Sequence, residues 1–195
     1  MRPFSVMRMK LVTIGHGTLS ADTFAELLSR ARVSSLVDVR SAPGSRRNPI
    51  FRRTELEQWL PQAGLSYRWD PRLVGFRRPH ADSSNTALRH SAFRGYADHV
   101  RTPEFADALD EVLAEANRRV AEPEAGLVSV MCAESVWWRC HRRLIADAAT
   151  LAHHAEVVHL MHDGRFMAHR LTDGVRLGDD GLPVYDAGAT PLQGT

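Results

Sequence analysis

Leu127–Ala149, LVSVMCAESVWWRCHRRLIADAA, is the stretch whose reading decides the fold of this chain. Leu127–Met131 is a short, apolar, β-branched run, the pattern of a buried strand. Leu144, Ile145, Ala148, Leu151 and Ala152 recur at helical spacing, as on a helix packed against a sheet. Between strand and helix lie both cysteines of the protein, Cys132 and Cys140, together with Glu134, Arg139, His141, Arg142 and Arg143. Burying a core requires none of these groups, so the functional site is expected here.

The flanking sequence repeats the alternation. Lys10–Ile14 reads as a strand ending in the turn Gly15-His16-Gly17. Ser20 then caps a helix with Phe24, Leu27, Leu28 and Ala31 on its inner face. Ser35–Arg40 is a second strand. Its Asp38 and Arg40 share a face, so mutual pairing competes with a ligand role for both. After the Pro/Gly loop 41–53, Thr54 and Glu57 spell a capping box, and Leu65–Trp69 is a weaker strand. Pro71–Gly95 has no sustained periodicity, and loops of that length in compact domains are commonly functional. Thr102-Pro103-Glu104 opens a long helix whose acids Asp107, Glu111 and Glu115 read as its solvated side. Glu156–Met161 is a further strand and Arg165–Leu171 an edge strand.

This order predicts an α/β class: a single-domain, three-layer fold over 10–171 with a largely parallel sheet and a long basic loop region. Residues 1–9 read as a lead-in and 172–195 as a loosely ordered tail. The turns bearing His16, Arg40 and Cys132 each follow a strand. In open parallel sheets the ligand crevice lies at the carboxyl ends of the strands, so all three are expected to meet in one cleft.

Composition narrows the partners. No apolar run approaches the roughly 18 residues of a membrane span, so no membrane partner is expected. Two cysteines and no export-signal pattern lead to the expectation of a cytoplasmic protein with reduced thiols. The formal charge is only +2, yet residues 40–94 hold eleven Arg against four acids, a net +7. Such a concentration of guanidinium groups suits phosphate or carboxylate, which the planar fork binds bidentately.

The segments TIGHG, LVDVRSAPGSRRNPIF, LVGFRRP, FRGYADH, TPEF, VMCAESVWWRCHRRLIADA and HRLT, in that order from Lys10 to Leu171, resemble the bacterial domain-of-unknown-function family 488. A fainter similarity is to rhodanese-like and cysteine-phosphatase domains, which also have a strand ending in Asp-x-Arg and a later strand ending in a thiolate. That similarity implies the first role for Val37-Asp38-Val39-Arg40 and the second for Val130-Met131-Cys132. The chain departs from it in the loop, where Arg139 stands seven positions after Cys132 and two tryptophans intervene.

Four residues are candidates for chemistry: Cys132 as a thiolate nucleophile, Glu134 and His141 as acid or base, and His16 at the neighbouring turn. Arg40, Arg46, Arg47, Arg77, Arg78, Arg142 and Cys140 are candidates for holding the ligand, an anionic small molecule or a nucleotide-like one. Cys132 and Glu134 also admit inert structural roles, as a core thiol and an ion-pair partner. The spacing C-x7-C-H matches no common structural zinc pattern, so no metal or other cofactor is expected. Trp137 and Trp138 are either core plugs or, if exposed, stacking platforms. A competing reading is a non-catalytic nucleic-acid-binding module built on the basic 40–94 segment.

Overall fold

A computed structural model describes residues 10–41, 48–122 and 124–186. Its centre is a six-stranded sheet with the order β3-β2-β4-β1-β5-β6. The strands are β1 (Lys10–Gly15), β2 (Val33–Asp38), β3 (Ser66–Trp69), β4 (Leu127–Cys132), β5 (Glu156–Leu160) and β6 (Phe166–Ala168). The first five are parallel, and β6 runs antiparallel along the β5 edge. The three-layer α/β expectation is met. The helices α1 (Ala21–Arg30) and α2 (Arg53–Gln62) cover one face of the sheet. The helices α3 (Ser91–Val100), α4 (Pro103–Ala121) and α5 (Arg142–His153) cover the other.

Strand β4 shows how the sheet aims its side chains. Its period of two sends Val128, Val130 and Cys132 into the core under α3, α4 and α5, while Met131 enters the opposite core. Cys132 therefore emerges on the same side as Cys140, at the carboxyl end of the strand. Ser20 and Thr102 cap α1 and α4 as expected. The capping box at Thr54 does not form. Helix α2 starts two residues earlier, after Arg52, and Glu57 pairs with Arg53 at 2.7 Å instead.

Two stretches are more ordered than their sequence indicates. The long loop after Pro71 ends in α3, and Asp98 on that helix ties the loop down. Asp98 accepts hydrogen bonds from Ser83 Oγ (2.6 Å), Asn85 Nδ2 (2.7 Å) and the His80 backbone (2.9 Å). Within the expected tail, β7 (Val175–Leu177) and β8 (Pro183–Tyr185) form a hairpin. The tail docks through Tyr185, which is fully buried and donates its hydroxyl to Asp147 Oδ2 at 2.9 Å. The lead-in at 1–9 lies outside the described residues.

Asp147 also anchors a buried chain of single protons. As an acceptor it fixes the proton on His169 Nε2 (2.8 Å), which leaves His169 Nδ1 to accept from His159 Nε2 (3.0 Å). His159 Nδ1 in turn accepts from Thr13 Oγ1 at 2.7 Å. Trp137 stacks flat on His159, with ring centroids 4.0 Å apart, so this network supports the loop that follows Cys132. Burial, and then the neighbouring His169, push the His159 pKa down to about 3.

That shift gives a signed prediction. The unfolded chain takes up a proton at His159 below about pH 6.5 and the folded chain does not until about pH 3, so stability falls on acidification between those values. The slope from this group is about 1.4 kcal/mol per pH unit at most. Thermal unfolding of His159→Gln followed from pH 7 to pH 4 should show a shallower loss than the unsubstituted protein. Parallel curves would mean that His159 titrates normally.

Candidate functional site

The site is assembled by the carboxyl ends of the adjacent strands β2, β4 and β1. The His16 backbone N–H donates to the Cys132 carbonyl at 3.0 Å, and that of Val39 donates to the Met131 carbonyl at 2.9 Å. The three turns thus start side by side in the backbone.

The chemistry gathers around His141, the residue preceding α5. Its Nε2 lies 3.0 Å from the Val39 carbonyl oxygen, an atom that can only accept, so Nε2 carries a proton. In the neutral ring the lone pair is then on Nδ1. This atom faces both thiols, 4.0 Å from Cys132 Sγ and 3.7 Å from Cys140 Sγ. Tyr96 packs edge-on against the imidazole at 4.8 Å, and its hydroxyl is fixed on the Leu73 carbonyl at 2.7 Å. The loop after Leu73 closes the other approach. A Cβ on Gly75 would sit 2.8 Å from His141 Nδ1, so only glycine lets the chain pass this close.

The two thiols differ. Cys132 is pulled well below the usual thiol range, chiefly by the adjacent Cys140 thiol, then by His141 and the Glu134 backbone N–H. Cys140 is pushed up, chiefly by burial and then by Cys132. Of the two, Cys132 is the thiol favoured in its anionic form, and it is also the more exposed, at 9% against 4%.

The other candidates separate into groups. Arg142 is 1% exposed and donates Nη2 to the Ser135 carbonyl at 2.9 Å. Its Nε and Nη1 have no hydrogen-bond partner. The loop passes over β1 at Gly15, where a Cβ would lie 1.8 Å from the Glu134 carbonyl oxygen and 2.5 Å from Arg142 Nη1. The Glu134 carboxylate is exposed and accepts from the Val136 N–H at 3.1 Å, away from the thiol–imidazole cluster.

Arg40 is committed to protein partners. Its Nε and Nη2 grip Asp38, and its Nη1 reaches the Phe51 carbonyl at 2.8 Å and His16 Nε2 at 3.2 Å. His16 is 3% exposed, stacked on Phe51 at 4.2 Å, and its Nδ1 donates to the Gly17 carbonyl at 2.9 Å. Burial and then Arg40 lower its pKa to about 4, so at neutral pH it is an uncharged acceptor joining β1 to β2. Arg77 and Arg78 follow Gly75 on the loop that touches His141. Arg77 Nη2 lies 3.4 Å from His99, and its Nε has no partner. Arg78 is exposed. Between Gly75 and Arg77, Phe76 is 87% exposed with a left-handed φ of 60°. Arg46 and Arg47 lie outside the described residues.

Sequence reasoning missed three contributors: the Val39 carbonyl, Gly75 and Tyr96. A backbone carbonyl leaves no sequence signal. Gly75 had one, a glycine in the middle of the apolar-to-basic stretch Leu73–Arg78.

A scan against protein families matches the model of domain of unknown function DUF488 over residues 20–149. The chain belongs to that family. No curated protein and no solved structure matches it. No helix among the described residues is long and apolar enough to cross a membrane.

The buried Asp38–Arg40 pair fixes the floor of the site, and its removal should be costly. Asp38→Ala leaves a guanidinium unpaired in the interior, for which the expected loss is about 3–5 kcal/mol by chemical denaturation. Glu57→Ala, which removes an exposed partner of Arg53, should leave the denaturation midpoint nearly unchanged. Similar small effects for both would mean that Arg40 finds solvent without Asp38.

Proposed function

We propose that this protein is a thiol-dependent enzyme acting on an anionic substrate. The observation that carries the reading is the orientation of His141: Nε2–H is held on the Val39 carbonyl and the Nδ1 lone pair is turned to the sulfurs. A nucleophile, a base and a group orienting that base is the arrangement used in covalent catalysis. Cys132 attacks an electrophilic centre of the substrate. His141 accepts the thiol proton through Nδ1 and returns it to the leaving group. The neighbouring Cys140 steadies the anionic form of Cys132.

An anionic substrate fits the surrounding charge. Arg142 is a buried cation with two unpartnered nitrogens, beside a loop whose Glu134 backbone N–H turns toward Cys132. Arg77 and Arg78 stand on the loop pressed against His141, and backbone N–H groups with guanidinium groups form an anion-binding concavity. Arg40, His16 and the strand ends form the rigid support beneath.

A nucleotide-like substrate has its own support. A cavity of about 430 Å³ is lined by His90, Phe93, Trp137, Trp138, Arg89 and Arg143, among others. Aromatic faces beside guanidinium groups suit a base with its phosphate. Trp138 is half exposed, as a stacking surface requires, whereas Trp137 is a core plug. A further cavity of about 490 Å³ lies at the other end of the sheet, against Lys10, Leu127 and Glu156, and bears none of these groups. The purely nucleic-acid-binding reading has less support. Several arginines of the 40–94 segment are neutralised internally, Arg68 by Glu115 and Arg72 by Asp70 and Glu111.

Two alkylating agents test both halves of the proposal. Neutral iodoacetamide should modify Cys132 at pH 7 faster than Cys140, and His141→Gln should slow it. The ratio of iodoacetate to iodoacetamide rates should exceed that of glutathione, and should fall with added salt or in Arg77→Ala/Arg78→Ala. Slow labelling of Cys132 would overturn the nucleophile. A ratio equal to that of glutathione would overturn the anionic substrate.

A further inference from the structure

We infer that Cys132, Cys140 and His141 also form a site for one thiophilic divalent cation of the Zn²⁺ class. The three donor atoms, two Sγ and one Nδ1, all lie within 4.8 Å of one another. The Nδ1–S separations are 3.7 and 4.0 Å. Tetrahedral zinc, with Zn–S near 2.3 Å and Zn–N near 2.0–2.1 Å, sets its donors roughly 3.5–3.8 Å apart. Closing this triangle on an ion therefore takes shifts of a few tenths of an ångström between nitrogen and sulfur, and of about 1 Å at most between the two sulfurs, within reach of side-chain rotation.

Proximity alone would be weak, but the second ring nitrogen strengthens the case. Metal-bound histidines generally donate their other N–H to a carboxylate or backbone carbonyl, which fixes the tautomer and aims the lone pair. His141 already does so through Nε2 to Val39, and Gly75 and Tyr96 hold the ring in that orientation. Two thiolates and one imidazole are a donor set that selects zinc-like ions over hard cations. Binding displaces the remaining thiol protons to solvent and involves no change of oxidation state.

The sequence pattern concealed this arrangement. The spacing C-x7-C-H carries no paired-cysteine element, because one ligand ends a strand and the others precede a helix. The short Trp137–Arg139 turn brings Cys140 back over the strand end. The cation would occupy the same lone pairs that Cys132 and His141 use toward substrate, so metal binding and thiolate attack exclude one another. The inference itself does not require Cys132 to be a nucleophile.

Cobalt and zinc titrations of the reduced, full-length chain provide the test. Co²⁺ should bind one per chain with the sulfur-to-cobalt charge-transfer band and the strong visible bands of a tetrahedral thiolate site, and Zn²⁺ should bleach them. Cys132→Ser, Cys140→Ser and His141→Gln should each abolish the thiolate spectrum or weaken binding at least about tenfold. Gly75→Ala, which pushes the ring aside but keeps every ligand, should weaken it about 10–100-fold. His153→Gln, at the far end of α5 from the triangle, should leave it unchanged. Circular dichroism confirms that each variant is folded before it is compared. A Co²⁺ spectrum without thiolate bands, or affinities unchanged in the three ligand variants, would overturn the site. Zn²⁺ should also protect Cys132 from iodoacetamide. Fast alkylation insensitive to saturating Zn²⁺ overturns the metal site alone, whereas slow alkylation in metal-free protein with an intact Co²⁺ spectrum overturns only the nucleophile.

Discussion

The hydrogen bond from His141 Nε2 to the Val39 carbonyl is the constraint on which the site depends. It joins the segment after β4 to the end of β2, and it decides which nitrogen of the imidazole is bare. Because a carbonyl cannot donate, the neutral ring has one tautomer, and that tautomer turns a lone pair toward two sulfurs. The rest of the fold keeps this bond in place. The parallel sheet brings β2 and β4 side by side, Asp38–Arg40 locks the turn after β2, and the Asp147–His169–His159 chain supports the returning loop through Trp137.

The arginines of 40–94 show why charge counted along a sequence misleads. Their net +7 resembles a binding surface. In three dimensions α4 lies beside them, and Glu111 and Glu115, which as a sequence look like a solvated helix face, pair with Arg72 and Arg68. Arg40 is answered by an acid two residues away. Among the described residues Arg77 and Arg78, beside Gly75, and Arg142, beneath the loop, form no ion pair with an acid. Arg142 and Arg143 open α5 where the helix dipole disfavours them. Arg143 is accommodated by the Trp138 carbonyl and the face of Phe93. Arg142 has only the Ser135 carbonyl and is the less compensated of the two.

The sheet was legible because each parallel strand is a short apolar run followed by a turn and a helix stripe. Periodicity reads such units with little tertiary help. The α3 helix and the terminal hairpin were not legible, since both are held by side-chain bonds to distant partners, Asp98 and Asp147. The convergence of His16, Arg40 and Cys132 followed from the rule that parallel strands present their carboxyl ends together. The tautomer of His141 did not, because it is set by a main-chain oxygen 102 residues away. The burial of His16 in an acceptor role toward Arg40 was likewise invisible, because a histidine after a strand has the same letters whether it is free or pinned.

The most direct measurement of the central claim is a two-bond ¹H–¹⁵N correlation spectrum of the histidine rings in reduced, metal-free protein at neutral pH, with His141 assigned by substitution. The account predicts that the neutral His141 ring is the Nε2-protonated tautomer, with an unprotonated Nδ1 whose resonance moves when Cys132 is alkylated. A Nδ1-protonated ring, or a Nδ1 resonance unmoved by modification of the neighbouring sulfur, would contradict it.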